Sequence, residues 1–356
     1  MSKHGKAPMG GRRTLGAVIA GIAVAGTLAS CSGDETPATE TATAAPASGT
    51  ITIYSGRDEE FVKTLFDDFT DATGIDTEVR YGDSAELAAT ILEEGENSPA
   101  DVFFSQDAGS LGAVADAGLL ASIDETALDR VEPRFRSDEG AWVGTSGRGR
   151  VLVYNTELVD ASELPGSILD LTDPEWRGRI GLPPTNSSFQ AHVAAMIEMQ
   201  GEDGTRAWLE GIMANDPRFY EDNGATTRAV ASGEVEVGLV NHYYKYEVEA
   251  EDGPLPIENH YFGEGDVGSF INAAGVGVLA GSANAGAADA FVDYLTGEPG
   301  QTFVAEDSWE YPVVAGYEAS VDVPPLSEFV GPDVDLSDLG ATLPQALDLL
   351  AQVGMV

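Results

Sequence analysis

The chain has 356 residues, with 18 Lys and Arg against 60 Asp and Glu, giving a formal net charge of −42. So few cations exclude nucleic acid as a partner, because a polyphosphate needs a basic footprint, and they argue against broad docking on anionic lipid. A hydrophobic content of 43% is that of a folded protein, so the acids belong to its surface.

Residues 1–30 read as an export signal. Lys3, Lys6, Arg12 and Arg13 make a basic start, and an apolar run from Leu15 to Leu28 follows. That run is too short and too rich in Gly and Ala for a spanning helix. It ends in Leu28-Ala29-Ser30-Cys31, and Cys31 is the only cysteine in the chain. The ending resembles a bacterial lipobox, in which the thiol carries lipid. A single cysteine also excludes an intrachain disulfide and a thiolate metal cluster. The Arg pair leaves Sec and twin-arginine export both open. Residues 31–49 lack large apolar side chains and are rich in Thr, Ala, Pro and Glu, so they form a solvated, disordered tether. The remaining length suits two modest domains.

The body opens with strand–helix alternation. Ile51–Tyr54 reads as a strand, and Asp58–Ala72 as a helix striped by Phe61, Leu65 and Phe69 and stopped by Gly74. Ile75–Tyr81 is a second strand. Asp83-Ser84-Ala85-Glu86 starts a second helix, Ala100–Phe104 is a third strand, and Leu111–Leu120 a third helix. Such repetition implies an α/β fold with a largely parallel sheet covered by helices. Val151–Tyr154 and Ile180–Leu182 follow as strands, then helices over Phe189–Met199, Gly204–Asn215 and Thr226–Ser232. Val235–Val240 is a buried strand leading into Asn241-His242-Tyr243-Tyr244. Ala273–Leu279 is apolar and Gly-rich, and Ala287–Leu295 is a helix. Val323–Asp338 is Pro- and Asp-rich and irregular, and Leu343–Val353 closes the chain as an amphipathic helix.

In open α/β sheets a ligand binds outside the carboxyl ends of the strands. The residues there are Ser55–Glu59, Ser105–Asp107, Thr185–Ser188, Asn223 and Asn241–Tyr244, all polar stretches. Enzymatic motifs are missing: there is no G-x-S-x-G elbow, Walker loop, G-x-G-x-x-G after the first strand, or H-E-x-x-H. The acids of Asp333–Asp338 read as a solvated loop, since a calcium loop would need an acid where Pro344 stands.

Tyr243 and Tyr244 stand apart. In a strand they would point to opposite faces, whereas at a helix start, about 100° apart, both project into one space. A phenol with a pKa of about 10 binds metal only when a strong Lewis acid removes its proton. Fe(III), a hard cation suited to oxygen, does that, and a helix N-terminus favours the phenolate. The alternative is that both rings merely pack. Asp58 and Glu59 are either ligands or first-turn acids that serve the helix dipole. Thr185, Asn186, Ser187 and Ser188 either hold an anion or cap the following helix. Arg148 and Arg150 either face an anion or pair with acids across a cleft.

Taken together these residues resemble the ferric-ion-binding proteins of ABC transporters, the class II solute-binding proteins called bacterial transferrins. The resemblance spans residues 50–356. It rests on Ile53-Tyr54-Ser55-Gly56-Arg57, on Ser98-Pro99-Ala100-Asp101-Val102-Phe103-Phe104, on Asp170 through Gly178, and above all on Gly233 through Tyr244. It implies two α/β lobes: residues 50–143 plus 276–325, and residues 144–275. Two crossing strands near Val143–Gly147 and Ala273–Val278 would form a hinge, and residues 326–356 an irregular segment and helix. It also implies Tyr243 and Tyr244 as ferric phenolate ligands, with Asn223, Asn241 and the loop Thr185–Ser188 holding a synergistic anion such as carbonate, phosphate or citrate. This chain departs from the family pattern by having Asp58 where many members have His and Gln106 where they have a carboxylate, and by lacking a third tyrosine near Ser188. Asp58, Glu59 and Gln106 are therefore the remaining metal candidates, and Arg57 and Arg148 anion candidates. The expectation is a non-enzymatic, monomeric, extracytoplasmic protein anchored to the cell membrane through Cys31, which hands Fe(III) to an ABC permease and its ATPase. An iron chelate or a small organic solute (polyamine, thiamine or sugar) is the alternative cargo.

Overall fold

A computed structural model describes residues 49–326, 331 and 334–356. The expected leader, Cys31, nearly all of the expected tether and Asp333 lie outside them. The first strand, β1 (Gly49–Ser55), feeds helix α1 (Glu59–Thr73), whose apolar stripe buries Val62, Leu65, Phe66 and Phe69. Gly74 ends α1 in the left-handed region at φ 73°, and its N–H returns to the Thr70 carbonyl. Strand β2 (Ile75–Tyr81) follows, and α2 (Ser84–Glu94) begins with the Asp83 carboxylate accepting from the Ala85 N–H. Next come β3 (Val102–Ser105) and α3 (Ala108–Asp116). This helix starts a turn before its expected position because buried Asp107, not an apolar residue, caps it.

A short helix α4 (Glu125–Leu128) leads to the long strand β4 (Val143–Asn155), then β5 (Ile180–Leu182). The two helices expected over 189–215 form one element, α5 (Ser187–Ala214), with a kink at Gly201. The chain continues through β6 (Arg218–Phe219), α6 (Asn223–Ala231), β7 (Val237–Asn241), α7 (Tyr244–Asp252), β8 (Ile257–His260) and β9 (Ile271–Val278). It ends with α8 (Ala285–Thr296), α9 (Glu298–Glu306), β10 (Tyr311–Pro312) and α10 (Leu339–Val353). Helix α10 starts a turn earlier than expected and tolerates Pro344 inside it, at the cost of one backbone hydrogen bond.

The strands run in the order β2-β1-β3-β9-β4-β7-β5-β6, with β8 and β10 each pairing with β4. β1 is parallel to β2 and β3, and β5 to β6 and β7, as the alternation predicts. These parallel groups are joined by antiparallel strands. Residues 143–149 of β4 pair with β9, and residues 150–155 of the same strand pair with β7 and β8. The two expected crossings thus lie on β4 and β9. Periodicity marks only the end of β4 as a strand, and the resemblance places its start, because the stretch from Gly144 to Gly147 is small or polar yet fully buried. The small residues are required: a Cβ on Gly144 would sit 2.5 Å from the Phe135 carbonyl, and one on Gly275 2.8 Å from the Val143 carbonyl.

The core around β1 and β3 is an aromatic cluster. Phe66, Phe69 and Phe104 each meet Phe291, with ring centroids 5.0–6.2 Å apart. Among the described residues, no helix is long and apolar enough to cross a membrane.

Candidate functional site

The carboxyl ends of β1, β3 and β7 and the middle of β4 open on one cleft of about 690 Å³. Seven of the residues singled out by sequence line it: Arg57, Asp58, Glu59, Gln106, Arg148, Tyr243 and Tyr244. Tyr243 is the N-cap of α7 in helical conformation (φ −75°, ψ −20°) and Tyr244 its first residue. The pair therefore sits at a helix start, where both rings reach the same space. Their centroids are 4.4 Å apart, and they are 3% and 9% exposed. Burial pushes the Tyr244 phenol well above the ordinary range; Arg148 opposes this, and Glu247 and Asp58 reinforce it.

Arg148 organises the floor of the cleft. Alternation along β4 places Ser146, Arg148 and Arg150 on one face. The Arg148 guanidinium donates to the Gln106 carbonyl at 2.8 Å, to Gln106 Oε1 at 3.2 Å and to the Tyr243 phenol oxygen, and it lies 5.0 Å from the Tyr243 ring centre. Behind it stands Glu310, fully buried. Arg57 grips this carboxylate with both terminal nitrogens at 3.0 and 3.2 Å, and Arg148 Nε lies 3.1 Å away as a charge contact. Ser146 donates its hydroxyl to the same carboxylate. Burial pushes the Glu310 carboxyl up, but the Arg57 and Arg148 guanidiniums more than offset this and hold it below the ordinary glutamate range.

The remaining candidates are engaged to different degrees. Asp58 occupies the N-cap of α1, but its side chain accepts no capping hydrogen bond and stays exposed on the cleft. Glu59 is likewise exposed there. The Gln106 amide donates to the Gly56 carbonyl and accepts from Arg148 at Oε1.

Thr185, Asn186, Ser187, Ser188, Asn223 and Asn241 do not line this cleft. Four of them gather instead around Arg150, which is 1% exposed and donates to Asn223 Oδ1 and Asn241 Oδ1 (3.2 Å each), to Ser188 Oγ (3.4 Å) and to the Leu239 carbonyl (2.8 Å). Asn186 caps α5 and accepts from the Asn223 amide at 2.9 Å. No carboxylate pairs with Arg150 among the described residues. Burial pushes its guanidinium down to about 9, with a Tyr244 phenolate acting in the opposite direction. Ser187 Oγ and Asn241 Nδ2 are buried there without partners. Thr185 is exposed at the rim.

Sequence reasoning missed Glu310, Ser146 and Glu247. Glu310 is a lone acid between two aromatics, Trp309 and Tyr311, and no spacing marks it. Trp309 adopts φ 54°, a conformation that costs a non-glycine residue about 1–2 kcal/mol, and it lines the cleft. His242 stacks on Tyr311 at 4.5 Å and accepts from the Gly149 N–H at 3.1 Å, away from the cleft. Among the described residues no group of three His, Cys, Asp or Glu side chains is placed to hold a metal ion.

Comparison with known proteins gives the family of the chain. The family model described as bacterial extracellular solute-binding protein matches residues 97–335. The Fe(3+)-binding periplasmic protein of Serratia marcescens is 36% identical over 318 residues, covering 88% of this chain and 93% of that protein. The major ferric iron-binding protein of Neisseria meningitidis is 32% identical over 88% of this chain and 95% of its own length. Among solved structures, iron-bound HitA of Pseudomonas aeruginosa superposes with a TM-score of 0.82 at 37% identity, covering 86% of this chain and 99% of that one. A Trichodesmium protein in complex with iron and citrate reaches a TM-score of 0.72 at 32% identity over 86% and 99%. The two-lobe α/β architecture expected from the sequence is the fold of these neighbours, and the family is one of transport proteins, not enzymes. The chain belongs to the bacterial extracellular solute-binding proteins.

Proposed function

We propose that this protein captures ferric iron in the cleft, with Tyr243 and Tyr244 as phenolate ligands, and delivers it to an ABC importer. One observation carries this reading: two adjacent, nearly buried phenols open on a single cleft, with an arginine donating to one of them. Burial makes the Tyr244 phenol harder to ionise, so it binds only a cation strong enough to displace its proton, and Fe(III) meets that demand with a preference for oxygen. Asp58 and Glu59 offer carboxylate oxygens at the mouth. Gln106, held by Arg148, is a further donor by its position. Arg57 and Arg148 line the floor of the cleft as its cations, both tied to Glu310.

The cluster around Arg150 is the proposed place of a synergistic anion, with Ser187, Ser188, Asn223 and Asn241 as donors and Thr185 and Asn186 at its edge. A buried cation surrounded only by neutral acceptors supports this, because such a charge is stabilised by an incoming anion. Carbonate, phosphate and citrate all fit that chemistry. In this reading residues 50–143 plus 276–325 and residues 144–275 are the two lobes, and β4 and β9 flex as they close on the cargo. The protein acts outside the cytoplasm as a monomer, exported by residues 1–30 and held to the membrane by lipid on Cys31. The permease and its ATPase receive the closed form.

A second reading is capture of an iron chelate. The cleft of about 690 Å³ is far larger than an ion and supports it. One titration separates the two. Ferric nitrilotriacetate added to the apoprotein should produce a visible phenolate-to-iron charge-transfer band that is lost in Tyr243→Phe/Tyr244→Phe. A band that forms only with citrate present favours the chelate, and a colourless protein contradicts both readings.

A further inference from the structure

Glu247 stands three residues after Tyr244 and four after Tyr243, so these side chains leave α7 on one face, and all of them line the cleft. On the facing wall stands Asp58, whose carboxylate makes no capping hydrogen bond. Among the described residues the Glu247 carboxylate has no hydrogen bond and no ion pair. The nearby Arg228 is taken by Glu251 and by Asp252, 3.0 Å away. The Tyr244 phenol, only 9% exposed, has no hydrogen-bond partner either. Glu247 and Asp58 face each other and Tyr244 across the cleft as like charges. Arg148, the cation within reach, is committed to Gln106, Tyr243 and Glu310. Three oxygen groups from two walls therefore share one space with no counter-charge of their own.

We infer that Glu247 is a further cargo ligand: its carboxylate and that of Asp58 bind the same trivalent cation as the tyrosine pair. The inference rests on the ferric reading above and specifies it. Two phenolates and two carboxylates carry four negative charges, so a trivalent ion leaves one in excess where a divalent ion leaves two in a partly buried site. A cation between Asp58 and Glu247 also converts repulsion across the cleft into a bridge that draws the walls together.

The test compares the whole apoprotein with its Glu247→Gln and Glu247→Asp forms. Each is titrated with ferric nitrilotriacetate, and iron affinity is read by chelator competition. Glu247→Gln should keep the charge-transfer band but move it to longer wavelength, since loss of an anionic donor leaves the iron more electron-poor. Affinity should fall by at least about tenfold, the scale of losing even an outer partner of a bound metal, and Glu247→Asp should recover part of it. The apo Glu247→Gln form should melt no lower than the wild type, because the change removes a repulsion. An unchanged band position and affinity would overturn the inference, as would a lowered apo melting temperature with an unmoved band, which marks a structural role. A wild-type protein with no band overturns the ferric reading and this inference together; a band lost in Tyr244→Phe but indifferent to Glu247→Gln overturns this inference alone.

Discussion

Replacing Glu310 with Gln keeps the side chain's shape and removes its charge. In the folded protein that carboxylate is 0% exposed and serves two guanidiniums, Arg57 at 3.0 Å and Arg148 at 3.1 Å, themselves 5% and 2% exposed. Glu310→Gln leaves both cations buried beside each other with no anion. Removing one partner of a buried ion pair costs about 3–5 kcal/mol, and two cations sharing one anion place this site in the upper part of that range. Urea unfolding at neutral pH should show a lower midpoint with an unchanged slope. The pH dependence has a definite sign. Because Arg57 and Arg148 hold the Glu310 carboxyl below its ordinary range, its stabilisation is complete above the unfolded value and is lost as pH falls through the folded one. The gap between wild type and variant should therefore narrow on acidification below the ordinary glutamate range. Iron capture should weaken too, since Arg148 loses the anchor that aims it at Tyr243. A stability loss under about 1 kcal/mol, the worth of a surface pair, would refute the reasoning.

Three further outcomes follow from the same structure. Phe291→Ala empties the centre of the aromatic cluster and should cost about 3–5 kcal/mol in urea unfolding. Arg150→Met should leave apo stability unchanged or higher, because this buried cation faces only neutral acceptors, while abolishing any dependence of iron loading on added carbonate, phosphate or citrate. Burial pushes His192 down to about 3 and His242 down to about 4. Both remain neutral in the folded chain while unfolded imidazoles protonate near 6.5, so stability should fall by up to about 1.4 kcal/mol per pH unit for each as pH drops from about 6 toward 4.5. His192→Gln should flatten that slope, measured as urea midpoints across the range.

The parts of the fold that were legible obey local rules. The stripe of α1 and its stop at Gly74, the Asp83 cap of α2 and the strand Ile75–Tyr81 all follow from periodicity and end signals within a dozen residues. The tyrosine pair was legible for the same reason: two phenols next to each other make sense in one cleft only at a helix start, and that is where they stand. What stayed hidden depends on contacts distant in sequence. The first half of β4 is placed as a strand only by the family resemblance, because its mostly small and polar residues gain their burial from β9, more than a hundred residues away. Glu310 is tied to Arg57 across 253 positions, and no spacing announces such a pair. The expected anion residues converge in part around Arg150, whose role as their centre shows only when β4 lies beside β7 and the start of α5. Glu247 was open to detection, since a carboxylate one helical turn after the tyrosine pair lies on the same face.

The central claim is that one ferric ion is held by two neighbouring phenol oxygens. The most direct test is a crystal of the loaded protein measured at the iron absorption edge. The anomalous peak should lie within bonding distance of both the Tyr243 and Tyr244 oxygens, inside the cleft that Arg148 and Asp58 line. A peak beside other residues, or loaded crystals with both rings still free and the cleft holding an iron-free solute, would contradict the account.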